Sequence, residues 1–160
     1  MPLPPTILEQ VTILAQIFAA MVLGALIGLD REAAHKPAGL RTHMLVAGAA
    51  ALLVSIGEQI AGQLTKALGS QVISTDPIRI IAAIITGVSF LGAGTIIRQR
   101  SGGDVEGLTT AASLLFASVL GITTALSQWT LAIGATLLVL VVLRIIPLLA
   151  QFLSRRSTNT

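Results

Sequence analysis

The sequence predicts an all-α integral membrane protein: one domain over residues 1–160, with about five transmembrane helices forming two related hairpins plus a fifth helix. Two observations carry this. Of 160 residues, 54% are hydrophobic and 11% charged, with a mean hydropathy of +0.89. Soluble domains carry about 25% charged residues, and a chain this short cannot hide so much apolar surface in one aqueous core. The apolar residues also fall into five runs, each near the roughly 20 residues that span a bilayer.

The first run covers about 7–29, with Glu9 its one charge. The preceding Met1-Pro2-Leu3-Pro4-Pro5 lacks a basic region, the run is too long for a signal-peptide core, and Gly28-Leu29-Asp30 is a poor cleavage site. A retained first helix is expected. The second run covers about 40–57 and is rich in Ala, Leu and Val. The third, about 78–97, follows Asp76-Pro77, an N-cap and a first-turn proline. The fourth covers about 108–126, and the fifth about 129–150, interrupted by Arg144 and Pro147. Between Glu58 and Thr75, residues Ile60, Leu64, Ala67 and Leu68 fall at helical spacing. Both an interfacial amphipathic turn and an extension of the second helix are compatible with that.

Alternate loops are basic. Arg31, Lys36 and Arg41 lie between runs one and two, Arg98 and Arg100 between three and four, and Arg155 and Arg156 after five. The opposite side carries Lys66, with Arg79 at its edge. The positive-inside rule then places the N-terminus outside and the C-terminus in the cytoplasm. The net charge of +3 and pI near 10.7 express this asymmetry rather than nucleic-acid binding, for which 3% aromatics and no Tyr offer no stacking platform. With no cysteine there are no disulfides or thiolate sites.

The first two runs and the next two echo each other. Gly24-Ala25-Leu26-Ile27-Gly28 is followed by charges and then Gly39-Leu40-Arg41-Thr42; Leu91-Gly92-Ala93-Gly94 is followed by charges and then Gly107-Leu108-Thr109-Thr110. This order predicts a parallel repeat about an axis along the membrane normal.

Small residues recur at helix-packing spacing: Ala20, Gly24 and Gly28 in the first helix, and Ala83, Gly87, Gly92 and Gly94 in the third. Close helix contact, within one chain or between copies, is the simplest reading. Asp30, Arg31, Glu32, Arg41 and Arg98 gather at one membrane surface. Arginines there serve orientation and snorkelling, but carboxylates do little for topology, and a buried Asp30 needs a partner. Arg41 and Arg98 are the expected partners. Thr109, Thr110 and Ser113 can cap the fourth helix or bond to a neighbour. His35 and His43 have no second group at metal-ligand spacing. No phosphate loop or catalytic set is present, so no enzyme activity and no organic cofactor are expected.

The blocks 24–32, 38–42, 87–94 and 107–112, taken in order, resemble the MgtC/SapB family of bacterial inner-membrane proteins over about residues 15–126. The resemblance implies a role in growth at low magnesium and, in pathogens, survival inside host cells. It also implies action on a membrane-protein partner such as an ATPase, including restraint of the F-type ATP synthase. The alternative is a transporter or channel for magnesium or another cation, with Mg the candidate bound ion. MgtC-like virulence proteins carry a soluble domain after the last span; ending at Thr160, the chain looks like the short, SapB-like form. It also has Thr109 where the virulence proteins have Asn.

Overall fold

The computed structural model describes the backbone of residues 6–68, 77–96 and 106–157, and side chains of 6–67, 77–96 and 106–147. Five helices follow one another: α1 Ile7–Ala33, α2 Leu40–Leu68, α3 Pro77–Ile96, α4 Leu108–Ala125 and α5 Trp129–Ser157. All five are long and apolar enough to cross a membrane.

α1 begins with a reciprocal cap that the sequence reading missed. The Thr6 hydroxyl accepts the Glu9 N–H at 3.3 Å, and the Glu9 carboxylate accepts the Thr6 N–H at 2.9 Å, satisfying two otherwise orphaned donors. Its 27 residues rise about 40 Å, more than the roughly 30 Å hydrocarbon core. Asp30, Arg31 and Glu32 therefore belong to the last helical turn rather than to the loop. The helix ends where His35 turns left-handed at φ 53, with the His35 N–H on the Glu32 carbonyl and the Lys36 N–H on that of Arg31. This pairing closes a helix end, and Pro37 follows it.

α2 runs eleven residues beyond its expected end, reaching Leu68. Glu58, Gln59, Gln63 and Lys66 are good helix formers, so the helix continues past the apolar run. Of the two readings of this stretch, the helical extension holds. α3 starts at Pro77, as its first-turn proline predicts, while Asp76 lies outside the described residues. α5 continues through both Arg144 and Pro147; a membrane helix tolerates such a proline where neighbouring groups satisfy the freed carbonyl.

α4 is the central element. Of its membrane-length window 61% is buried, against 11% for α3 and 22% for α1 and α5. Its composition permits this. Ser113, Ser118, Thr123 and Thr124 donate their hydroxyls to α4 carbonyls three or four residues back, at 2.7–3.0 Å. Buried hydroxyls are thus satisfied within their own helix. The core itself is built of small residues, with Ala20, Ala47, Ala50, Ala51, Ala117 and Ala125 packed around Val54, Ile84 and Ile122. A smaller cluster of Ile27, Leu120 and Leu143 joins α5 to α1 and α4.

Glycines set the closest approaches. A Cβ on Gly24 would lie 2.6 Å from the His43 carbonyl oxygen, and one on Gly28 would lie 2.7 Å from Leu40 Cα. At Gly92 it would meet Ala111 at 3.2 Å, and at Gly121 it would overlap the Ala47 carbonyl. Ala20 is fully buried, and Gly24, Gly28 and Gly92 stand at close contacts within the chain. At Gly87 and Gly94 an added Cβ meets nothing of the chain within 4 Å. Both are exposed, and Gly87 borders the opening between α2 and α3.

The echo between hairpins has a structural counterpart. α2 and α4 begin 68 residues apart, at Leu40 and Leu108. The contact of Gly24 with residue 43 recurs, shifted by the same 68, as that of Gly92 with residue 111.

Candidate functional site

The site lies where α1 ends and α2, α4 and α5 reach the same level. Asp30 is 8% exposed and holds two guanidinium groups, one on each carboxylate oxygen. Arg31 Nη2 donates to Oδ2 and Arg144 Nε to Oδ1, both at 2.8 Å. Arg31 is itself buried, and its Nε is the one buried side-chain polar atom without a hydrogen-bond partner among the described residues.

Of the two expected partners, one is replaced and the other is not tested. Arg41 projects to the surface at the start of α2 and makes no bond to Asp30; Arg98 lies outside the described residues. Arg144 comes from α5, 114 residues from Asp30 in sequence. The sequence did hold a signal for it: a guanidinium between Leu143 and Ile145, within an apolar run, needs a partner.

Glu32 has a different role. Its Oε2 accepts the Leu40 N–H at 2.8 Å. The last turn of α1 thus satisfies one of the open donors at the start of α2, where a carboxylate also complements the helix dipole. Gly39 is needed for this contact, because a Cβ there would lie 2.8 Å from the same oxygen.

Beneath the charges sits a polar relay. His43 is fully buried. Its Nδ1 lies 2.9 Å from the Gly39 carbonyl and its Nε2 2.9 Å from Ser113 Oγ. A carbonyl can only accept, so Nδ1 carries the proton. Ser113 Oγ also lies 2.8 Å from the Thr110 carbonyl, so its one hydroxyl proton is shared between that carbonyl and the unprotonated His43 Nε2, which links α2 to the first turn of α4. Thr110 is buried and Thr109 exposed. The interhelical hydrogen bond expected of Thr109 is instead made by His43 and Ser113.

Magnesium does not fit this cluster. Mg²⁺ takes hard oxygen ligands, and both Asp30 oxygens face cations. Two guanidinium groups against one carboxylate leave the node positive. Among the described residues, no three His, Cys, Asp or Glu side chains converge on a metal position.

Comparison with known proteins places this geometry in a lineage. No solved structure matches the chain. Protein MgtC of Salmonella typhimurium is 42% identical over 125 residues, covering 78% of this chain and 48% of the relative. Protein SapB of Bacillus subtilis is 35% identical over 135 residues, covering 84% and 56%. A protein of Escherichia coli named putative magnesium transporter YhiD is 34% identical over 133 residues, covering 83% and 59%. The chain thus spans about half to three-fifths of the length of the curated relatives it matches. The family model described as MgtC family matches residues 17–152, which takes in the Asp30 node, the His43 relay and Arg144 alike, and the chain belongs to that family.

Proposed function

We propose that this protein is a regulatory module of the bacterial cytoplasmic membrane that acts by contact with another membrane protein, an ATPase being the foremost candidate, in adaptation to low magnesium. It performs no catalysis of its own. In this reading the N-terminus lies outside and the Asp30 end faces the cytoplasm, which the distribution of Lys and Arg between the loops supports.

The observation that carries the reading is the positive node at Asp30. A divalent cation entering from that side would meet a carboxylate already engaged twice and a surplus of guanidinium charge. A conduction path needs oxygen ligands that can replace hydration, and this arrangement repels the ion instead. The tight packing of α1, α2 and α4 around their glycines supports the same view, since it favours a rigid scaffold presenting outer helix faces. The link to magnesium rests on the family resemblance and on a relative named putative magnesium transporter. The second reading, cation transport, draws on the name of the E. coli relative.

Magnesium flux into sealed vesicles containing the purified protein separates the two. The expected result is no flux above that of empty vesicles, from protein shown by circular dichroism to be helical. Saturable flux that disappears in Asp30→Asn would overturn the regulatory reading and put Asp30 on a transport path.

A further inference from the structure

A polar groove of about 380 Å³ lies between the first turns of α1 and the last turns of α2, at the end of the bundle away from the Asp30 node. Glu9 lines it from α1, and Gln59, Gly62, Gln63 and Lys66 line it from α2. The side chains of Gln59, Gln63 and Lys66 make no hydrogen bond or ion pair among the described residues. Glu9 accepts the Thr6 N–H on Oε2 alone, and a carboxylate has acceptor sites on both oxygens. Glu9 and Lys66 share the groove without bridging it. Its floor is open, since a Cβ on Gly62 meets nothing within 4 Å.

The level of the groove narrows the choice of occupant. Gln16 is bonded to the α4–α5 turn, and Glu9 stands about 10 Å further along α1. The groove therefore lies beyond the end of α4. The helices that form it still turn Ile7, Leu8, Val11 and Ile60 outward, each more than half exposed. Bare apolar side chains flanking polar ones fit the boundary between acyl chains and headgroups.

Charge selects among the molecules found at that boundary. An unbridged carboxylate and ammonium match a zwitterion that carries both signs itself. An anionic headgroup would meet Glu9, and a divalent cation would meet Lys66. Side chains lean toward the N-terminus of their own helix. On these antiparallel helices Glu9 leans outward and Lys66 back toward the bilayer, which brings the two charges toward a common level.

We propose that the α1–α2 groove binds the headgroup of phosphatidylethanolamine. Its ammonium donates to Glu9, and its phosphate accepts from Lys66 and from the carboxamides of Gln59 and Gln63. The site is separate from the Asp30 node and stands under either reading of the protein's function.

Native mass spectrometry of the full chain in detergent tests this, with phosphatidylethanolamine, phosphatidylcholine and phosphatidylglycerol of identical acyl chains. Choline has no N–H for Glu9 to accept, and glycerol has no ammonium. The wild-type protein is expected to retain one phosphatidylethanolamine roughly fivefold more strongly than either, the scale of one solvent-exposed charged pair. Glu9→Gln keeps the reciprocal cap with Thr6 and removes the charge, so it should bring phosphatidylethanolamine down to the phosphatidylcholine level. Lys66→Gln should lower retention of all three lipids, which share the phosphate. Gly62→Leu fills the floor and favours the helix, and it should abolish the preference. Equal retention of the three lipids by the wild type overturns the proposal, as does an unchanged preference in Glu9→Gln or Gly62→Leu protein shown to be helical. Saturable binding of free O-phosphoethanolamine with no preference among the lipids also overturns it, and would give the groove to a soluble zwitterion.

Discussion

Asp30 is a buried carboxylate whose two partners differ in kind. Arg31 is buried beside it, while the Arg144 side chain is 69% exposed and reaches in from α5. An exposed arm is worth less than its short distance suggests, because solvent or headgroups screen it. A double-mutant cycle of Asp30→Asn and Arg144→Gln, read by thermal unfolding in detergent, should give a coupling of about 1 kcal/mol, the scale of measured polar pairs in membrane proteins. A coupling near zero would show that α5 is held by the apolar contacts around Ile27, Leu120 and Leu143 rather than by the ion pair. Thr109 is the contrasting residue. It is exposed at the start of α4, so Thr109→Ala should leave the melting temperature unchanged. If that variant nonetheless fails to support growth in low magnesium, Thr109 is a contact for the partner rather than part of the scaffold. Asp30 could be singled out from sequence because a carboxylate has little to do with orientation. Its partner could not, because which arginine reaches it depends on how α5 leans against α1, and nothing local to residues 30 or 144 encodes that crossing.

At the scale of the helices, glycine decides what can approach what. Gly24 and Gly94 carry the same side chain in opposite settings. Gly24→Ala must push a methyl group into the His43 carbonyl and Ala47, so it should lower the melting temperature by several degrees or prevent folding. Gly94→Ala meets open space and removes a helix-weakening residue, so it should be neutral or add up to about 1 kcal/mol. If both variants melt alike, the α1–α2 interface is looser than its distances indicate. The spacing of small residues identified both glycines as packing candidates, and only Gly24 stands at a close contact within the chain. Spacing gives a stripe along a helix, whereas the rotation of that helix against its neighbours is set by the whole bundle. Helix existence was more legible than helix length. The apolar runs located all five elements, but α2 and α5 continue beyond them because polar helix formers extend a helix that lipid no longer requires.

Across the molecule, two hairpins offset by 68 residues build a scaffold around α4, and α5 is added to its side. The repeat was legible because loop charges and helix starts recur in order. The His43 relay was not, since under the same offset residue 43 corresponds to Ala111, and the bond between α2 and α4 therefore breaks the symmetry that made the rest readable. The tie between α4 and α5 is short and stiff. Ser127 is left-handed at φ 56, the Gln128 N–H reaches the Thr123 carbonyl, and Gln16 from α1 donates to both the Ala125 carbonyl at 3.3 Å and Ser127 Oγ at 3.0 Å. α1 is thus held by the α4–α5 unit at two levels about 21 Å apart, by Gln16 at the α4–α5 turn and by Asp30 in its last turn.

That arrangement carries a schedule. Asp30 leaves the ribosome 114 residues ahead of Arg144, a delay of roughly 6 to 23 seconds at ordinary elongation rates. During that interval Arg31, its neighbour in the chain, is the cation already synthesised beside it. The adjacent pair lets a charged helix end enter the membrane early, and the distant arginine closes the bundle once α5 has been synthesised.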